Sequence, residues 1–167
     1  MVRKTSPTGY WTFMCNPRIW EIDRFLAAGM SEDTYRIIPY QQSWFEKGQL
    51  AVIRVGIDKR TRMERNGRPK LEAGIYAIVE IRSKPRLQLA TKPEFYLQAS
   101  PKVLQPILRV KIRLYRNLLR CPILLSDLQS DPLIQEDSYL LKGFQGASMP
   151  LHPLSFQRIL ELRDTAS

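Results

Sequence analysis

Histidine is almost absent from these 167 residues, and cysteine is scarce: one of the former, two of the latter. With His152 alone, a zinc site built on several imidazoles is excluded. A Ser-His-Asp or Cys-His nucleophile would have to run through the same residue, and nothing near it resembles a nucleophile elbow. Cys15 and Cys121 lie far apart in apolar surroundings, which points to buried reduced thiols rather than a disulfide or a metal pair. No apolar run approaches the roughly 18 residues of a membrane span. Residues 1–8 lack the apolar centre of a secretory signal, so the default expectation is a cytoplasmic protein with no membrane partner. Close acidic pairs and metal-ligand clusters are missing too. That weakens the reading of a nucleic-acid or nucleotide-processing enzyme working through Asp58, Glu72 or Glu80, and no cofactor is expected. Internal repeats and low-complexity tracts are likewise not evident.

Positive charge is what the chain has in excess. Lysine and arginine number 26 against 16 aspartates and glutamates, a formal net charge of +10. Polyanions are the natural partner class, and clustering identifies the candidate contacts. Lys59, Arg60, Arg62, Arg65, Arg68 and Lys70 crowd one stretch between two strand-like segments, with a turn signal at Asn66-Gly67. Arg109, Lys111 and Arg113 alternate with Val110, Ile112 and Leu114, the pattern of a strand with one core face and one cationic face. Both groups are candidate phosphate contacts. A solvated loop and a charge-guarded edge strand are the structural alternatives.

Tyr10 to Cys15 is a continuous apolar run, the mark of a strand covered on both faces. Asn16 and Pro17 then read as the cap and first position of a helix carrying Ile19, Ile22, Phe25 and Leu26 on one side and closing at Gly29. Met30 to Pro39 reads as a loop or short extended segment. In Tyr40 to Phe45, aromatics flank amide and hydroxyl groups able to meet a base edge, or else pack a short helix. Leu50 to Ile57 is a strand with Ala51, Ile53, Val55 and Ile57 on one face, and Gly74 to Ile81 is a central strand. Residues 82–106 hold four prolines and admit only short elements. Ser126 caps a short helix that stops before Pro132, and the glycines of residues 143–146 let backbone approach a neighbour or ligand. A last helix begins near Pro153, with Leu154, Ile159, Leu160 and Leu162 as burial candidates.

Four stretches, taken in order, carry a resemblance. They are Tyr10-Trp11 opening the first strand, Phe45 to Leu50 before the second, Gly74 to Ile81 as the third, and Phe144 to Leu151 entering the last helix. This order resembles the EVE domain of the PUA-like superfamily, related to YTH and ASCH domains. The resemblance implies an α+β, PUA-like fold: a strongly bent mixed sheet or barrel of about five to six strands surrounded by helices. It implies one domain over residues 9–164, after a flexible basic lead at 1–8 and before a tail at 165–167. It also implies a concave pocket that reads a flipped, modified base, with DNA favoured over RNA as the partner. The pocket would draw on Trp11, Cys15 and Asn16, on Tyr35 or Tyr40 where relatives place a tryptophan, and on the segment 70–74 with Glu72 and Gly74. Ser43 and Trp44 join it from the aromatic segment. A non-enzymatic binding module is the leading expectation, with a processing enzyme or a protein-interaction domain as rivals.

Overall fold

The computed structural model describes residues 6–97, 105–134, 136–144 and 146–165. Residues 1–5 of the expected basic lead and 98–104 of the proline-rich stretch lie outside them. One sheet organises the rest. Its order is β2 (Glu32–Arg36), β6 (Ile107–Asn117), β4 (Gly74–Ile81), β3 (Leu50–Val55), β1 (Tyr10–Cys15) and β8 (Ser148–Pro150). Two short strands join off this path: β5 (Arg86–Gln88) on β6, and β7 (Ile123–Leu124) on β4. Only β1 with β3 runs parallel among the described pairings. Register shifts at Ile53/Arg54 and Ile78/Val79 let β4 serve three neighbours, and the sheet curls strongly into a half-barrel.

The runs read as covered strands are covered because each face of the sheet has its own core. Inside the curl, Trp11, Phe13 and Cys15 of β1 meet Ala51, Ile53 and Val55 of β3, with Tyr35, Phe45, Val110 and Ile112. On the outer face Val52, Ile75 and Ile78 pack against Leu128, Leu140, Phe156 and Ile159. Those come from helices α2 (Leu125–Ser130), α3 (Ser138–Lys142) and α4 (Pro153–Thr165). Gly74 is required by packing: a Cβ there would lie 2.4 Å from the Ile123 carbonyl oxygen of β7.

Local signals failed at the start of the first helix and at Ile57 and Leu154. The first helix, α1 (Ile22–Ala27), starts at Ile22 and not at Pro17. Asn16 caps only a turn, its Oδ1 accepting from the Arg18 N–H at 3.0 Å. Residues 17–19 form a turn, Trp20 then bridges to Tyr96 and the Glu21 N–H donates to the Phe95 carbonyl at 2.8 Å, so the helix begins only after these contacts. Ile57 lies beyond the end of β3, and Leu154 sits in the first turn of α4; both are exposed. Met30 to Pro39, read as a loop or short extended segment, is the latter: it carries β2, which pairs with β6.

Candidate functional site

The aromatic residues expected around one pocket are dispersed. Trp11 is fully buried and stacks on Phe45 with ring centroids 3.8 Å apart, its Nε1–H donating to Gln49 Oε1 at 2.8 Å. It is a core residue and not a pocket wall, because β3 and the Phe45 ring cover both its sides. Tyr35 is also interior: it stacks on Phe13 at 4.7 Å and its hydroxyl donates to the Met14 carbonyl at 2.6 Å. Tyr40, 58% exposed, packs edge-on to the half-buried Trp44 at 5.7 Å. With Ser43 it lines a separate hollow that also carries Gln42, Glu46 and Lys84. Glu72 is exposed and offers only its carbonyl, to the Tyr76 hydroxyl at 2.8 Å. Gly74 is occupied with β7. Of the expected pocket, Cys15 and Asn16 line one large cleft, and Tyr35 meets Asn16 in a small recess beside it.

The basic stretch also behaves differently from its composition. Arg60 is buried, and all five of its N–H groups are engaged by carboxylates. Nε meets Asp58 Oδ1 at 3.0 Å, Nη1 meets Glu21 at 2.9 Å and Asp23 at 3.0 Å, and Nη2 meets Asp23 at 3.2 Å and Asp58 at 2.9 Å. Arg68 adds bonds to Glu21 at 2.7 Å and Asp23 at 3.1 Å. Burial works against the Asp58 charge, but the hydrogen bonds from the Arg60 side chain and from the Leu71 and Arg60 backbone hold its carboxyl below the usual range. Arg60 and Arg68 therefore tie the 58–70 segment to Glu21 and to α1; the Arg60 side chain, read as a candidate phosphate contact, is enclosed, and that of Arg68 is 31% exposed. Arg65 is half-buried, its Nη1 donating to the Arg68 carbonyl at 2.6 Å. Lys59, Arg62 and Lys70 stay exposed. On β6, Lys111 and Arg113 face solvent as read, whereas Arg109 is 1% exposed and donates to the Tyr96 hydroxyl at 3.2 Å. Residues 86–96 cover it.

The cleft, of ≈ 910 Å³, opens where the parallel strands β1 and β3 end. Its floor is Met14, Cys15 and Gly56, and its far wall is the turn after α3, with Gly143, Phe144 and Gly146. Gly143 has φ 75, and a Cβ there would stand 3.3 Å from Met14 Cε, so this wall can approach β1 only as glycine. Phe144 is half-buried, held edge-on to Tyr139 at 5.9 Å. Two exposed amides, Asn16 and Gln129, line the opening. Four cations line it as well, Arg36, Arg54, Lys59 and Lys142, and among the described residues no carboxylate does. Cys15 is an unreactive thiol: burial, then the Asp23 charge, pushes its pKa far up, and Sγ donates to the Trp20 carbonyl. A recess of ≈ 20 Å³ adjoins the cleft through Met14, Asn16 and Arg36, large enough for one water. Trp20 lines that recess, and its Nε1–H finds no acceptor among the described residues.

Sequence reasoning missed Arg36, Arg54, Lys142 and Phe144 as cleft residues. Arg54 did carry a signal, the lone charge in the apolar strand Leu50 to Val55. The glycines at 143 and 146 were read as a place for close approach, and they line the cleft.

This mixed α+β architecture, a strongly curled half-barrel sheet with helices on its outer face, is shared with several solved structures. Among solved structures, a hypothetical protein from Leishmania major matches with a TM-score of 0.63 at 14% identity, over 93% of this chain and 94% of that one. Rpa0253 from Rhodopseudomonas palustris matches with a TM-score of 0.60 at 16% identity, over 96% of each. The human THYN1 protein, solved in complex with DNA containing 5-methylcytosine, matches with a TM-score of 0.59 at 15% identity, over 93% of this chain and 97% of that one. No family model and no curated protein matches the chain.

Proposed function

We propose that the cleft at the ends of β1 and β3 reads a flipped, modified base, in DNA rather than RNA, and that the protein is a reader and not an enzyme. The observation that carries this is the lining itself: one accessible aromatic, two free amides and four cations, with no carboxylate. A base drawn out of a duplex loses a few kcal/mol of stacking, which the pocket must offset. Stacking on Phe144 supplies about 1–3 kcal/mol of that. Asn16 spends only its Oδ1 on the Arg18 N–H, so its Nδ2 donors are free for a base edge, and Gln129 offers both sides of an amide. The exposed cations of 59–70, with Lys111 and Arg113, provide sequence-independent attraction to phosphates. The preference for DNA is supported by the solved complex of human THYN1 with DNA containing 5-methylcytosine.

The test is fluorescence anisotropy with matched duplexes, modified and unmodified, in DNA and RNA form and at several salt concentrations. A buried methyl group contributes about 0.8 kcal/mol, so a modified DNA duplex binds roughly fourfold tighter than its unmodified twin. Phe144→Ala abolishes that margin without lowering the melting temperature. Equal binding of all duplexes, or an F144A protein that keeps the full preference, overturns the reading.

A further inference from the structure

Arg54 presents an imbalance of charge that Arg60 does not. Its residue is 3% exposed, yet no carboxylate lies within ion-pair distance of it among the described residues. Its Nε donates to the Leu140 carbonyl at 2.6 Å, Nη2 to the Leu141 carbonyl at 3.0 Å and Nη1 to the Val55 carbonyl at 3.3 Å. A guanidinium has five N–H groups, so two remain beyond these three bonds. Arg60, equally buried, has three carboxylates around it. A buried charge without an opposite charge is costly, and proteins ordinarily keep such groups paired or supply a ligand to pair them.

The neighbours sharpen the imbalance. Arg36 and Lys142 line the same cleft, and neither forms a side-chain hydrogen bond or an ion pair among the described residues. Lys59 is in the same position. Four like charges facing one water-filled space repel one another unless an anion enters it. Gly56 and Gly143 flank the guanidinium: an ideal Cβ on either would come within 3.8 Å of Arg54 Nη1. The two glycines thus place no side chain of their own against the guanidinium, and the end of the Met14 side chain lies beside them. The space is also generous. At ≈ 910 Å³ it reaches the upper end of the roughly 300–1,000 Å³ that engulfs a drug-sized ligand, room for more than one base.

We infer that the cleft contains an acid subsite, built on Arg54 and completed by Arg36 and Lys142, which takes an oxyanion of the same nucleotide whose base is read. The chemistry required is a compact group with two or three charged oxygens, able to accept from a guanidinium and an ammonium together. Two sources supply it: the phosphate of the flipped nucleotide, or a carboxyl carried on the base as its modification. The inference rests on the cleft being a nucleotide site.

Calorimetry separates the sources with three ligands: deoxycytidine, deoxycytidine 5′-monophosphate and 5-carboxydeoxycytidine. At least one charged ligand binds about tenfold or more tightly than the neutral nucleoside, as expected for charge-assisted hydrogen bonds. A gain for the monophosphate identifies the phosphate as the anion; a gain for the carboxylated nucleoside identifies the modification. Arg36→Gln and Lys142→Gln remove most of the gain while melting as the wild type does, because neither side chain is bonded within the fold. Arg54→Met removes it entirely, and is read alongside those two because Arg54 also ties down the end of α3. The inference is overturned if neither charged ligand exceeds deoxycytidine by threefold, or if none of the three binds at about 10 mM. Wild-type preference for modified duplex, measured separately, keeps the two failures apart. If that preference survives while the charged ligands show no gain, only the acid subsite falls; if the preference is also absent, the base-reading function falls with it.

Discussion

Replacing Arg60 with methionine should be among the most damaging single changes outside the apolar core. The side chain makes five hydrogen bonds to Glu21, Asp23 and Asp58, three carboxylates that are themselves buried. Gross hydrogen-bond energies overstate the loss, since the arginine is also desolvated in the native state. The better measure is the cost of breaking a buried ion pair by removing one partner, about 3–5 kcal/mol. Arg68 and Arg24 remain, but each is partly exposed and neither contacts Asp58. Against a total of about 5–15 kcal/mol for a domain, the loss is a large fraction of stability. At about 2–4 °C per kcal/mol the melting temperature falls by roughly 6–20 °C. Urea titration followed by circular dichroism gives the free energy directly. Arg60→Lys fails to rescue, because an ammonium cannot reproduce the planar fork. The sign of the pH effect follows from Asp58, whose folded carboxyl is held below its unfolded value. Its contribution is complete above about pH 4, the unfolded range, and is lost as pH falls through the folded value. The acid limb of the stability curve is therefore shallower in R60M. A loss below about 1 kcal/mol, or an unchanged acid limb, refutes the assignment of Arg60 as the anchor.

Other outcomes can be checked with the same preparations. Gly74→Ala drives a Cβ to 2.4 Å from the Ile123 carbonyl and costs about 1–3 kcal/mol, seen as a lower urea midpoint; an unchanged midpoint contradicts the close approach of β7. Burial holds the Asp33 carboxyl above its usual range despite hydrogen bonds from the Thr34 N–H and the Thr91 hydroxyl. Its native proton affinity is raised, so wild-type stability gains relative to Asp33→Asn as pH falls from 7 to 4; a constant or reversed difference in melting temperature rejects this. Lys59→Gln lowers the slope of log K against log salt by about one unit for DNA, and an identical slope places Lys59 away from phosphate. Asn16→Ser preserves an acceptor for the Arg18 N–H and so the melting temperature, but loses base preference. Full preference in that variant confines Asn16 to the turn.

The long strands were legible because their patterns are local. Tyr10 to Cys15 and Gly74 to Ile81 are apolar on both faces, and each turns out to have a core on either side. The strands β5, β7 and β8 have two or three residues, and nothing local distinguishes them from loop until a partner is placed beside them. The basic stretch misled because its neutralising acids are distant: Glu21 and Asp23 lie 39 and 37 residues from Arg60. Composition counted the cations of 58–70 but could not see that Arg60 is enclosed and that Arg68 is paired with the same acids. The cleft was half legible. Asn16 and the glycines at 143 and 146 were read as chemistry-bearing, while Trp11 and Tyr35, the more conspicuous residues, went to the core. Large aromatics stabilise most when buried, so conspicuousness in sequence favours the interior as much as a site.

The edge of β1 has a consequence for synthesis. β8 closes it, pairing Trp11 with Pro150 and Phe13 with Ser148, and the Thr8 hydroxyl reaches the Leu151 carbonyl across 143 residues. A ribosome emits β1 long before β8. Throughout that interval a strand with three aromatic residues has an open edge, the template on which chains pair wrongly with one another. Closure must wait for a contact of very long sequence separation, which slows folding. The nascent chain is therefore the state most exposed to aggregation, and chaperone supply should govern its yield more than the stability of the finished sheet does.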